Sequence, residues 1–247
     1  MIAILSPAKN MQMVKGTDCP IGRPAYPELT RGLAEQMRGY SAFELESLLR
    51  INPELAMRAF IDYQNFDWEA VGSPALLSYR GLQYQNLRPE DFSLQQLAYA
   101  NEHLRILSAL YGALAPCDGI LPYRLEFQCD VKVEGKSLYR YWGDRVYRDL
   151  FRAGEPVINL ASAEYAKLVA PYLTSHDRMI TCDFLAYSHG RHRILPTAAK
   201  MARGQMARYL VQNRIDIPEE LRFFQWDGFT YAEGMSTRNR YVFMQLM

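Results

Sequence analysis

A chain of 247 residues, 49% apolar and 22% charged, has the composition of an ordinary globular protein and is long enough to bury a core of its own. It has no apolar run near the roughly 20 residues that cross a bilayer, and "MIAIL" is too short for a signal-peptide core, which excludes a transmembrane chain and leads us to expect a cytoplasmic one. The net charge of +1 argues neither for nor against nucleic acid, but arginine outnumbers lysine 22 to 6, and the planar guanidinium suits bidentate contact with phosphate or carboxylate.

In chain order, the first element is a buried strand, "IAIL", ending in Ser6 and Pro7. Serine before proline is an N-cap followed by a first helical position, so a helical turn is expected, with Lys9 beside N–H groups able to face an anion. Residues 19–27 carry three prolines and read as a loop. "PELTRGLAEQMRGY" starts a helix on Pro27, and "SAFELESLL" starts a second, with Ser41 and Glu44 spaced as a capping box. A third begins at Pro53 after the turn "RINP", so residues 43–63 form a helical hairpin with Ile51 in the turn and Ala56 at the crossing. Two interpretations stay open: a helix-hairpin-helix that grips a DNA backbone, or plain packing, since the hairpin lacks the usual glycines.

Next, "ALLSYRGLQYQNL" begins as a strand and turns at Gly81. "SLQQLAYANEHLRILSALYGAL" is expected as one helix burying Leu94, Leu97, Leu104, Leu107 and Leu110. A prolyl loop, "PCDGILPYRLEF", leads to a hairpin around Glu134-Gly135. The strand "PVINLAS" ends in serine before the helical "AEYAKLV". Paired strands "MITCDFLAY" and "RHRIL", the helix "TAAKMARGQMARYLVQNR" and two closing strands complete the chain. Helix and strand segregate only partly, and no repeat or Gly/Ser linker divides them. The expected architecture is α+β, or irregular α/β: one domain over residues 1–247, with a mixed sheet flanked by helices.

For chemistry, compare "IAILSPAK" with "VINLASAEYAK". If these strands are parallel neighbours, Ser6, Lys9, Asn159 and Ser162 converge on one pocket, because ligands of α/β sheets gather at the carboxyl ends of strands; otherwise both serines simply cap helices. In the helix from Ala198, 100° per residue places Lys200, Arg203 and Arg214 within about 60° of one another, with Tyr209 opposite. Gly204 there suggests close approach of another backbone or of a ligand. From Arg178 to Arg214, seven basic residues face one acid, Asp183, which makes a positive surface unless acids from elsewhere fold back onto it. Arginine and aromatic residues interleave in "YRGLQY", "PYRLEF" and "LYRYWGD", suited either to base stacking with phosphate contact or to buried rings with paired arginines.

The chain has no G-x-S-x-G elbow, P-loop or H-E-x-x-H motif, and no catalytic residue emerges. Glu126 with Arg124 offers only a lone acid/base pair. Cys19, Cys117, Cys129 and Cys182 lack zinc-site spacing and are expected as free thiols. His189 and His192 read as part of a polar turn. Neither cofactor nor metal is expected.

As a set, "ILSPAK" at 4–9, "HLRILSALYGAL" through "PYRLE" at 103–126, "LYRYWGD" at 138–144, "VINLASAEY" at 157–165 and "AKMARGQMARYLVQNRI" at 199–215 resemble the YaaA family of bacterial peroxide-stress proteins, in order and over nearly the whole chain. The resemblance implies a part in hydrogen peroxide resistance and in limiting free intracellular iron. It also implies a compact domain of unusual fold that binds DNA, with a positively charged cleft and a helix-hairpin-helix element. Two positions depart from the pattern: Arg80, where lysine is more usual, and Met201, where a second lysine of a pair stands. On this basis Lys9, Arg80, Arg105, Arg124, Lys200 and Arg203 are expected to line a basic cleft holding double-stranded or distorted DNA by its backbone, whatever its sequence. Tyr84, Tyr123 and Trp142 are the expected stacking surfaces. The alternative is an enzyme acting on a small phosphorylated or nucleotide substrate in the same cleft, with Ser6, Lys9, Glu126, Asn159 and Ser162 as polar groups.

Overall fold

The computed structural model of the chain describes residues 1–17 and 19–246. Strand β1 (Ile2–Leu5) and the short β2 (Asn10–Met11) precede helices α1 (Pro27–Arg38), α2 (Ala42–Leu49) and α3 (Pro53–Gln64). Short segments follow: β3 (Ser73–Pro74), α4 (Ala75–Ser78), β4 (Tyr79–Arg80) and α5 (Leu82–Leu87). Helix α6 (Leu94–His103) runs straight into β5 (Leu104–Ser108), then β6 (Gly112–Leu114), β7 (Gly119–Ile120), β8 (Lys132–Val133) and β9 (Lys136–Ser137). Next come α7 (Leu138–Trp142), α8 (Arg145–Phe151), β10 (Val157–Leu160) and α9 (Ala163–Ala166). The chain closes with β11 (Met179–Ser188), β12 (Arg191–Arg193), α10 (Pro196–Asn213), β13 (Phe229–Tyr231) and β14 (Arg240–Gln245).

Strands β14, β11, β10, β1 and β5 are parallel neighbours in that order. Antiparallel β13, β12 and β6 pair with β14, β11 and β5 respectively. The result is a mixed sheet flanked by helices, an irregular α+β fold. "VINL" in β10 is buried along its whole length, as a central parallel strand covered on both faces must be. Helix α6 packs on β1 and β5, while α10 packs on β11 and on α6, so the two helices share a face. The connection leaving β1 leads to β5, and the one leaving β10 leads to β11 on the other side. The winding therefore reverses between β1 and β10, whose ends are level at Leu5 and Leu160. Such a switch point opens a crevice beyond the strand ends.

Local signals decide much of the helical layer. Pro27 and Pro53 start α1 and α3, and Ser41 with Glu44 forms the capping box of α2. The Asn52 side chain caps α3 by accepting the Leu55 N–H at 2.9 Å. Between α2 and α3, Arg50 takes the left-handed conformation (φ 53°) that a glycine would adopt freely. The Arg50 and Ile51 N–H groups donate to the Ser47 and Glu46 carbonyls, so they are occupied within the hairpin.

Four expectations are corrected. Residues 94–114 are a helix, a strand and a second strand: β5 is buried on both faces, and a short run of that kind satisfies helical and strand periods alike. Leu94 is accordingly exposed. After Ser6-Pro7 no helical turn forms; the chain bends at Lys9 and then pairs as β2 with β4. "ALLS" is one helical turn, and the strand before Gly81 is only Tyr79–Arg80. Cys19 and Cys117, with Cα atoms 6.2 Å apart, form a disulfide, while Cys129 and Cys182 are free.

Candidate functional site

Beyond the level ends of β1 and β10, Ser6 and Ser162 meet: the Ser162 N–H donates to Ser6 Oγ at 2.8 Å. This contact replaces the cap Ser6 was expected to provide, because its hydroxyl serves the neighbouring strand end instead of its own chain. Around the pair opens a cavity of about 300 Å³. It is lined by Ser6, Lys9, Arg80, Tyr84, Tyr123, Arg124, Glu126, Ser162, Lys200 and Arg203, all singled out in the sequence, and by Asn10, Gln83, Glu164 and Tyr165, which were not.

One part of the wall is already neutralised. Glu126 takes Arg124 Nε at 2.6 Å and Lys9 Nζ at 3.4 Å, and Arg124 also donates to the Lys9 carbonyl at 3.4 Å. Glu164 lies beside them, its Oε1 accepting the Gln128 N–H at 3.3 Å. Burial pushes the Glu164 carboxyl above its usual value and Glu126 adds to the rise, while backbone donors and Lys9 oppose it. The floor is tyrosine. Tyr84 donates to the Ser6 carbonyl at 2.9 Å, and Tyr123 shares hydrogen bonds with Tyr79 and Ser108. Burial pushes the Tyr123 phenol up to about 12. Tyr84 and Tyr123 are too buried to offer an open stacking face.

The cations of the other part of the wall, Arg80, Lys200 and Arg203, form no ion pair among the described residues. Among the described residues Arg80 donates only to neutral acceptors, the Leu77 and Tyr79 carbonyls and Gln12 Oε1. Lys200 is exposed and in no ion pair among the described residues. Arg203 Nε has no hydrogen-bond partner among the described residues. Burial draws its guanidinium below the usual value, and the acid whose charge acts on it, Asp183, is committed to Arg240 at 2.7 Å. Gln83, 7% exposed, has an Nε2 with no partner among the described residues.

Arg203 and Gln83 come together because α10 and α5 touch: a Cβ on Gly204 would overlap the Gln83 carbonyl oxygen. The expected approach at Gly204 is thus by a backbone. Helix α3 leans on the same rim. Its Leu55, Arg58 and Asp62 face Lys9, Tyr123 and Arg124 across a small hollow, and the Tyr63 hydroxyl donates to the Arg124 carbonyl at 3.0 Å.

Three expected residues lie elsewhere. Asn159 is buried below the pocket, donating to Thr181 Oγ1 at 3.1 Å and accepting the Ala161 N–H at 3.0 Å. Trp142 is fully buried and donates to the Ala109 carbonyl, so it offers no surface to a base. Arg105 donates to the Asn101 and Leu104 carbonyls and stands near Asp118 and Asp149. Within the basic run, acids do fold back onto Arg178 (Glu219) and Arg208 (Asp91), and Arg214 binds Gln95 from the end of α10. Lys200 and Arg203 are the two of that run that line the pocket. His189 binds Ser188 and Arg193, and His192 the Gln245 carbonyl. No group of three or more His, Cys, Asp or Glu side chains placed to hold a metal occurs among the described residues. None of the described helices is long and apolar enough to cross a membrane.

Fold and site together define a mixed-sheet α+β protein with a half-neutralised basic pocket at its strand switch point. The sequence pattern of the family described as Peroxide stress protein YaaA matches residues 1–235. A UPF0246 protein of Clostridioides difficile is 36% identical over 246 residues, covering 99% of this chain and all of its own. UPF0246 proteins of Lactiplantibacillus plantarum (40% over 245 residues, 99% of both chains) and Agathobacter rectalis (37% over 244 residues, 98% of both) are similarly related. The chain belongs to the UPF0246/YaaA family of bacterial peroxide-stress proteins, which associates it with the oxidative stress response.

Proposed function

We propose that this protein serves the peroxide-stress response in the cytoplasm by binding DNA through its phosphate backbone, without reading sequence. The observation that carries the reading is Arg203, a part-buried guanidinium in no ion pair among the described residues, whose Nε has no partner among them and on which the acid Asp183, itself bound to Arg240, acts. A part-buried cation whose neighbouring acid is shared with another arginine is only partly compensated, and such a site favours an anion. Arg80 and Lys200, in no ion pair among the described residues, line the same pocket. Helix α3, carrying Arg58 beside Lys9 and Arg124, continues the surface.

The test is fluorescence anisotropy of labelled duplexes of unrelated sequence over a range of salt. Backbone binding requires log K to fall linearly with log salt, by roughly 0.9 per phosphate neutralised. Lys200→Ala and Arg203→Met should each reduce that slope by about 1, alike for every sequence. Arg203→Met should leave the melting temperature equal or higher, because it removes an unpaired, part-buried charge. A flat salt dependence in the wild type, or variants that leave the slope unchanged, sinks the reading.

A further inference from the structure

The Cys19–Cys117 bridge belongs to a ring of contacts that reaches the pocket wall. A strap leaves that wall at Lys9 and Asn10 and runs to Cys19. Along it, Asn10 and Met11 pair with Arg80 and Tyr79. The Gln12 N–H donates to the Ser78 carbonyl at 2.8 Å, and the Val14 N–H to Ser73 Oγ at 2.9 Å. From Cys117 the ring returns through the loop after β6. There the Pro116 and Asp118 carbonyls accept the Leu76 and Ala75 N–H groups, both at 2.9 Å, and so fix the start of α4. Helix α4 leads directly into Tyr79 and Arg80 of β4, which close the ring on the strap. Three lining groups of the pocket, Lys9, Asn10 and Arg80, are carried on this ring.

Without the bridge, little holds the strap. Lys9, Asn10, Gln12, Met13, Lys15 and Gly16 are exposed, so it buries little apolar surface. A short strand pair and a few hydrogen bonds attach it, which places it at the low-stability end of the fold. The cysteines stay close when reduced, because the Gly22 N–H still donates to the Cys117 carbonyl and the Gly119 N–H to the Gly22 carbonyl. A pair kept within reach, on a strap that opens at small cost, is suited to form and break its bond.

We propose that Cys19 and Cys117 are a reversible redox site oxidised by hydrogen peroxide, and that the bridged form is the one that binds DNA. This rests on the reading above of a cytoplasmic DNA-binding protein: in a reducing compartment a disulfide is transient and serves as a sensor. Peroxide is the oxidant that the family description names. Both cysteines are buried, so the oxidant enters when the strap opens. One thiolate attacks a peroxide oxygen; the O–O bond breaks, a sulfenic acid forms, and the departing hydroxide takes a proton to become water. The second thiolate attacks that sulfur, the S–O bond breaks, and hydroxide again leaves as water. Two thiols are oxidised to one disulfide, and one peroxide is reduced to two waters. A dithiol reductant reverses the bond by exchange and ends as a disulfide itself. Closing the ring removes freedom from Lys9, Asn10 and Arg80, so less ordering remains to be done when a phosphate binds.

The experiment reduces the full chain, removes the reductant and adds hydrogen peroxide in steps. Differential alkylation with mass spectrometry reads the bridge, amide exchange reads residues 10–14 and 75–80, and anisotropy reads duplex affinity. Cys19→Ser and Cys117→Ser are the variants, and Cys129→Ser controls for the half-buried free thiol. Peroxide should re-form the bridge, slow exchange in both segments and tighten duplex binding about tenfold, within the range usual for coupled sites. By linkage, duplex DNA should make the bridge harder to reduce by the same factor. Both serine variants should keep the weak affinity of the reduced chain whatever the peroxide, while Cys129→Ser responds as wild type does. Should a serine variant not fold, the reduced and re-oxidised wild type give the same comparison. A bridge that peroxide does not re-form overturns the proposal, as does one that re-forms and leaves affinity unchanged; in both cases a steep salt dependence keeps the backbone reading. Affinity that follows the redox state but not the salt keeps the redox site and removes the backbone reading. No binding by any form removes both.

Discussion

Asp118 shows how a single side chain sets a pH response away from the pocket. Its Oδ2 accepts the Ala115 N–H at 2.8 Å inside the loop after β6. Burial pushes its carboxyl up to about 6, against the opposing pull of that N–H and of Arg105. A carboxyl that titrates near 6 when folded and near 3.8 when unfolded holds its proton more tightly in the folded chain. Its contribution to stability is therefore full below about pH 4 and is lost as pH rises through about 6. Asp118→Asn keeps an acceptor for Ala115 and removes the titration. Between pH 4 and pH 7, wild type should lose stability relative to this variant by an amount on the order of 1–3 kcal/mol; parallel denaturation profiles for the two proteins would contradict it. Arg105, expected at the pocket, belongs to this buried cluster instead. The strand-end pattern brought Ser6, Lys9 and Ser162 into view because both strands end in serine at the level where parallel neighbours would converge. Gln83 could not be told apart from an ordinary helix residue, since its meaning lies in a partner it lacks, whereas the basic stripe of α10 had already marked Arg203. Glu164, two residues after Ser162, was within reach of the same strand-end argument.

At the scale of elements, the pocket depends on how closely α10 crosses α5. Gly204 lets the two backbones touch, and a methyl there has no space without parting the helices. Gly204→Ala gains about 1 kcal/mol of helix propensity but is opposed by overpacking of about 1–3 kcal/mol. The net expectation is a lower melting temperature, and reduced duplex affinity as Gln83 moves away from Arg203. A variant as stable as wild type with unchanged affinity would show that the crossing has slack. Elements bounded by their own capping residues were legible for the same local reason: Pro27, Ser41, Asn52 and Pro53 act within three or four residues of themselves. Residues 104–108 were not, because Leu104 and Leu107 fit a helical stripe and a doubly buried strand equally well, and only pairing with β1 decides between them. Ser6 failed as a helix start for a related reason. Its partner, Ser162, is 156 residues away.

At the scale of the whole molecule, the Cys19–Cys117 disulfide closes a loop of 98 residues. That loop contains α1 to α6 and carries Arg80, Gln83 and Tyr84 to the pocket, while Lys9 and Arg124 lie just outside it on either side. The bridge thus pins the helical half of the chain to the strand frame whose ends, at Ser6 and Ser162, form the crevice. Around it the chain is also stitched by backbone contacts: the Gly22 N–H donates to the Cys117 carbonyl at 2.8 Å, and the Gly119 N–H to the Gly22 carbonyl at 3.0 Å. Those contacts survive reduction, so the fold should persist with less stability rather than collapse. Closing so long a loop restricts the unfolded chain, and such bridges contribute roughly 2–4 kcal/mol. Reduction with dithiothreitol, or Cys19→Ser, should lower the unfolding free energy by that order. Amide exchange should quicken first around residues 19–24 and 115–119, ahead of β1 and β10. If the two forms instead melt at one temperature with identical exchange, the bridge constrains nothing that the backbone pairing had not already fixed, and the helical half is held to the sheet by burial alone.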